Sequence, residues 1–160
     1  MNPPELNDDF RDLLHCLREA SVDFMIVGAH ALAAHGLPRA TGDLDVLVRP
    51  EPENATRVYR ALAAFGAPLS VHGVTEADFC TLGTVYQIGL PPRRIDILTE
   101  ISGVAFDDAW ASRLELRVLG EPLSFLGREA LITNKRAAGR PKDLVDVAAL
   151  EAGEPSEPRS

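Results

Sequence analysis

The chain has 160 residues, 46% apolar and 25% charged, a globular composition long enough for a sizeable core and one that excludes global disorder. Lys and Arg number 16 and Asp and Glu 24, so the net charge of −8 argues against broad binding to duplex DNA or to an anionic membrane, while leaving room for a local basic pocket. Cys16 and Cys80 make no disulfide framework and suit a reducing cytoplasm. Met1-Asn2-Pro3-Pro4-Glu5 lacks the features of a signal peptide, and no apolar run approaches the ~18 residues of a membrane span.

Phe10, Leu13, Leu14 and Leu17 recur at helical spacing and predict a helix over 7–20, with Asp8 and Asp9 at the positive end of its dipole. The apolar run Phe24-Met25-Ile26-Val27 suits a strand buried on both faces. Gly28 breaks it, and an Ala-rich helix over 29–35 ends at Gly36 before Pro38. A strand over 44–48 is closed by Pro50 and Pro52, and a helix over 54–65 carries Val58, Leu62 and Phe65 on one stripe. Residues 66–83 show no dominant period. Segments 84–89 and 94–98 read as a hairpin around Leu90-Pro91-Pro92-Arg93. Then come a short helix over 106–113, two strands within 114–125 turning at Gly120-Glu121, and a helix over 127–138 stopped by Gly139. A last helix starts at Pro141 and runs to 150. The Glu/Pro/Ser/Gly-rich segment 151–160 reads as a frayed tail, leaving 1–150 as one expected domain.

Side chains alternate along a strand. In Thr41-Gly42-Asp43-Leu44-Asp45-Val46-Leu47-Val48, Leu44, Val46 and Val48 share a buried face, and Asp43 and Asp45 share the other with Leu47. Two like charges ~4 Å apart cost ~4 kcal/mol at an effective dielectric of about 20, and a divalent cation held by oxygen ligands removes that cost. In Arg94-Ile95-Asp96-Ile97-Leu98, an acid stands mid-strand between isoleucines, against strand propensity. If the two strands are neighbours, Asp43, Asp45 and Asp96 form a two-metal carboxylate site. Spacing alone keeps a plainer alternative open, in which Asp43 caps the strand entry, Asp45 is solvated and Asp96 lies on an edge. Phosphatases and glycosyltransferases also use Asp-x-Asp, but they need an apolar strand running into the pair, and here that strand follows it. Val27-Gly28-Ala29 is a strand, a glycine and a helix start: a close backbone approach with unpaired amides suited to an anion, or simply a tight turn.

Taken together, these stretches resemble the DNA polymerase beta-like nucleotidyltransferase superfamily. Its signature is a strand, a Gly-Gly or Gly-Ser turn opening a helix, an Asp-x-Asp or Asp-x-Glu on the next strand, and a third Asp on a later strand. Small bacterial AbiEii-type nucleotidyltransferases are more similar still. That likeness is carried by Val27-Gly28-Ala29-His30-Ala31, by Gly36-Leu37-Pro38-Arg39-Ala40-Thr41-Gly42-Asp43-Leu44-Asp45, and by Asn134-Lys135-Arg136-Ala137-Ala138-Gly139-Arg140-Pro141-Lys142-Asp143-Leu144. Ala29 departs from the pattern, since it offers no hydroxyl where the family has Gly or Ser. The resemblance implies an α+β, two-layer fold with a mixed sheet, helices packed on one face and C-terminal helices.

It further implies transfer of a nucleoside monophosphate from a nucleoside triphosphate to an acceptor hydroxyl, an RNA or tRNA end, a protein or a small molecule. Asp43, Asp45 and Asp96 would hold two Mg²⁺ ions (or Mn²⁺) and serve catalysis. Gly28 and Ala29 would cradle the outer phosphates, and Arg39, Thr41, Lys135 and Arg140 would complete the nucleotide site. Look-alikes often belong to toxin–antitoxin or phage-defence pairs, implying an antitoxin-like partner and a cytoplasmic protein. Asp143 and Asp146 are expected to cap and decorate the last helix, with Lys142 pairing to Asp146. His30 is a candidate for lining the phosphate turn, and His30 with His35 lacks the spacing of zinc ligands. The alternative is a non-catalytic nucleotide-binding or partner-binding module with a degenerate site.

Overall fold

In the computed structural model, which describes residues 7–39, 43–90 and 93–153, the chain runs α1 (Asp8–Glu19), β1 (Phe24–Val27), α2 (Gly28–Ala34), β2 (Leu44–Val48), α3 (Pro52–Phe65), a 3-10 turn (Glu76–Cys80), β3 (Val85–Ile88), β4 (Ile95–Leu98), α4 (Phe106–Ala111), β5 (Leu114–Val118), β6 (Glu121–Phe125), α5 (Arg128–Ala138) and α6 (Pro141–Ala152). The strands make one mixed sheet ordered β3-β4-β2-β1-β6-β5. β1 runs antiparallel to β2 and parallel to β6, β2 parallel to β4, and the edge strands β3 and β5 antiparallel to β4 and β6. This is the α+β class with a mixed sheet. Among the described residues no helix is long and apolar enough to cross a membrane.

Alternation builds two cores, one on each side of the sheet, so helices cover both faces rather than the one expected. Phe24, Ile26, Leu44, Val46, Val48, Ile95 and Ile97 pack under α1 and α3. Met25, Val27 and Leu47 face the other way and pack with apolar residues of α2, α4, α5 and α6. Both faces of β1 are therefore covered, which is why its four residues are all apolar and all buried. Buried Asn54 at the start of α3 pins the open ends of β1 and β2. It accepts from the Asp23 N–H at 2.8 Å and donates to the Asp23 and Arg49 carbonyls at 3.1 and 3.0 Å.

Some boundaries differ from the sequence pattern for local reasons. α3 begins at Pro52, not at 54, because proline's locked φ suits a first helical turn as well as it closes a strand. Within 66–83 the chain forms a 3-10 turn, held by a reciprocal Thr75–Asp78 capping box and anchored by buried Phe79. α4 stops at Ala111, and Arg113 beyond it lies over the Trp110 ring, 4.0 Å from its centroid. Glu151 and Ala152 extend α6 into the segment read as a frayed tail, and 154–160 lies outside the described residues.

Candidate active site

The register of β2 against β4 sets the site. Parallel pairing aligns Asp45 with Asp96, between the rungs Leu44–Ile95 and Val46–Ile97. The two acids therefore leave the sheet side by side on the face opposite the isoleucines. On the other flank of β2, the antiparallel register sets Val27 level with Asp45. Gly28 follows at φ +69°, and a β-carbon there would overlap the Asp45 carboxylate. Only glycine combines that backbone conformation with that empty space. Ala29, half-buried, takes the next position of α2.

Burial pushes the Asp45 carboxyl up to about 6, helped by the charge of Asp96, a hydrogen bond shared with it and the charge of Asp43, and opposed by Arg94. Buried Asp96 accepts a fork of hydrogen bonds from Arg94, Nε to Oδ1 at 2.8 Å and Nη2 to Oδ2 at 3.3 Å. Asp43, just before β2, has Oδ2 at 3.3 Å from Arg94 Nη2, and its Oδ1 accepts the Arg94 backbone N–H at 3.3 Å. One arginine thus bridges two of the three acids, and the third sits against its own kind. His30, 5% exposed, braces the Asp43 backbone through a hydrogen bond and meets Phe10 edge-on. Burial pushes its pKa down against that bond, which keeps the ring neutral near pH 7.

The oxygen-only donors fit a hard divalent cation, and their crowding gives a reason to bind one. As the side chains stand, no group of three His, Cys, Asp or Glu among the described residues is gathered closely enough to hold a metal ion. Asp45 and Asp96 meet directly; Asp43 joins them through Arg94. The strand pattern identifies the acids and passes over Arg94. The signal was available, since Arg94 stands two residues before Asp96 and so on the same strand face.

The basic residues gather elsewhere, around two buried acids of α6. Lys135 Nζ lies 3.3 Å from Asp143 and 3.2 Å from Asp146. Arg140 holds Asp143 at 2.6 Å, and Arg39 reaches Asp146 at 2.5 Å. Hydrogen bonds from Arg140 and then Lys135 hold the Asp143 carboxyl below the usual range against the pull of burial. At Asp146 burial pushes upward, but hydrogen bonds from Arg39 and Lys135 outweigh it and the carboxyl also lies low. These acids are not the exposed decoration that helix position suggested. Asp143 does cap α6, but it is fully buried, and Asp146 pairs with Arg39 and Lys135 rather than with Lys142. Arg39 is four residues before Asp43, so their backbones stand at most ~14 Å apart. Thr41 lies outside the described residues.

No family model matches the sequence, and no curated protein matches it. Among solved structures the chain is similar to a candidate nucleotidyltransferase, TM1012 from Thermotoga maritima, with a TM-score of 0.55, 14% identity and coverage of 89% of this chain and 88% of that one. At that identity the likeness establishes a shared fold across nearly the whole length of both chains.

Proposed function

We propose that this nucleotidyltransferase-like fold carries out nucleotidyl transfer: a nucleoside monophosphate passes from a nucleoside triphosphate to an acceptor hydroxyl, and pyrophosphate leaves. The observation that carries the reading is the alignment of Asp45 with Asp96 beside the Gly28 turn. Asp43, Asp45 and Asp96 would hold two Mg²⁺ ions, with Mn²⁺ able to replace them, and the ions when bound would neutralise the reacting phosphates. Asp96 would take the proton from the acceptor hydroxyl. The bare backbone of Gly28 and Ala29 would let phosphate oxygens approach closely. Arg39, Thr41, Lys135 and Arg140 would face the triphosphate. Arg39, Lys135 and Arg140 exceed Asp143 and Asp146 by one charge, so their network keeps a positive balance for an anion. An in-line displacement asks mainly for positioning and charge neutralisation, and these groups supply both.

The acidic balance favours an acceptor that is a protein, a small molecule or an RNA end gripped locally, not duplex DNA. The resemblance to small AbiEii-type proteins supports a toxin of a toxin–antitoxin or phage-defence pair, partnered by an antitoxin-like protein. Growth arrest on expression, relieved by Asp43→Ala, is the expected outcome, and harmless expression of the native chain would remove the toxin role. The direct test is incubation with labelled nucleoside triphosphates, Mg²⁺ and RNA or protein acceptors. Transfer by the native chain and its loss in Asp45→Asn support the reading, and undiminished transfer in that variant refutes it. Ala29 in the turn and Arg94 among the acids favour one second reading, a non-catalytic nucleotide-binding module. That reading predicts stabilisation by nucleotide with no product.

A further inference from the structure

Arg94 is the one cation hydrogen-bonded to the acid cluster among the described residues, and its placement is specific. It stands immediately before β4, the strand that carries Asp96, and two residues from that acid, so the extended chain aims both side chains at the same face. Its fork takes both oxygens of Asp96, at 2.8 and 3.3 Å, and its Nη2 also meets Asp43 at 3.3 Å. The oxygens that would ligate a cation are thereby engaged by a guanidinium. Asp45 has no hydrogen bond from Arg94 and faces Asp96.

We infer that Arg94 is a built-in counter-cation that competes with the divalent ion for Asp43 and Asp96, holding the metal-free site closed until the ion displaces it. The inference rests on the nucleotidyl-transfer reading and adds regulation to it. The guanidinium already occupies both oxygens of Asp96 and one of Asp43, so an ion that takes those oxygens as ligands must displace the Arg94 contacts. Freed of its carboxylates, the guanidinium is left seeking an anion, and the triphosphate brings one, in the geometry that arginine pairs with best. Ion entry and triphosphate entry are therefore coupled favourably, and metal alone should bind weakly.

The test uses the intact chain and Mn²⁺ alone, with free Mn²⁺ followed by electron paramagnetic resonance in the native protein, Arg94→Ala and Arg94→Gln. Relief of one nearby positive charge should tighten Mn²⁺ binding about tenfold in Arg94→Ala. Arg94→Gln, which keeps a donor for Asp96, should move the same way by a smaller factor. Thermal unfolding with and without Mg²⁺ gives a second readout, in which the metal raises Tm more in either variant than in the native chain. Mn²⁺ binding that is unchanged or weaker in both folded variants overturns the competition while leaving the metal site standing. No Mn²⁺ binding by any of the three proteins overturns the metal site and the competition together.

Discussion

Asp45 bears the main electrostatic cost of the site. Its carboxyl titrates near 6 in the folded chain and near 4 when unfolded. The folded state thus holds the proton more firmly, so stability from the neutral acid is full below about pH 4 and fades as the pH rises through about 6. In metal-free buffer at pH 8, Asp45→Asn should therefore be more stable than the native chain by about 2 kcal/mol, and by little at pH 4. Urea unfolding at the two pH values measures this, and Mg²⁺ added at pH 8 should narrow the gap by stabilising only the native chain. Gly28 tests the same carboxylate from the other side. Gly28→Ala combines a left-handed backbone with an overlap on Asp45 and should cost about 2–3 kcal/mol together with transfer activity. Gly36→Ala is the control: it shares the positive φ but meets nothing within 4 Å, so it should cost only about 1 kcal/mol and leave transfer in place.

At the scale of elements, β2 and β4 carry Asp45 and Asp96, α5 and α6 carry Lys135 and its two buried acids, and each pair is locked by different physics. The strands are held by apolar packing on the face away from the acids, which offsets the cost of charged residues standing mid-strand. The helices are joined through buried charge. Gly139 ends α5 in the left-handed conformation, Pro141 starts α6, and Asp143 receives Lys135 from the first helix and Arg140 from the turn between them. Asp143→Ala should leave Lys135, only 12% exposed, without one of its two anions and cost about 3 kcal/mol in urea unfolding. Exposed Arg140 can turn to water, which keeps the cost from being larger. Asp146 additionally ties Arg39, from the segment leading into β2, to α6. Asp146→Asn should raise the KM for triphosphate, because it removes the carboxylate that positions Arg39, four residues before Asp43.

For the whole molecule, the sheet separates two cores, and the acid cluster lies on the side whose helices include the last two of the chain. A charge of −8 spread over so small a body should prevent retention of duplex DNA at physiological salt, and a gel-shift assay with random duplex checks this. Most elements were readable because each has its own period: Phe10, Leu13, Leu14 and Leu17 make a helix face, and Leu44, Val46 and Val48 a strand face. The loop from 66 to 83 was not, since a capping box and one buried phenylalanine hold it without any repeat. The acids were legible for a similar reason, because alternation alone says which way Asp45 and Asp96 point relative to their own neighbours. What the amino-acid order could not state is which strand lies beside which. A one-residue slip of β4 would have turned Asp96 away from Asp45, and an insertion between them would have left each acid solvated. Register, the closure of Arg94 over two of the acids and the burial of Asp143 and Asp146 all depend on contacts between residues distant in the chain, so only the folded packing decided them.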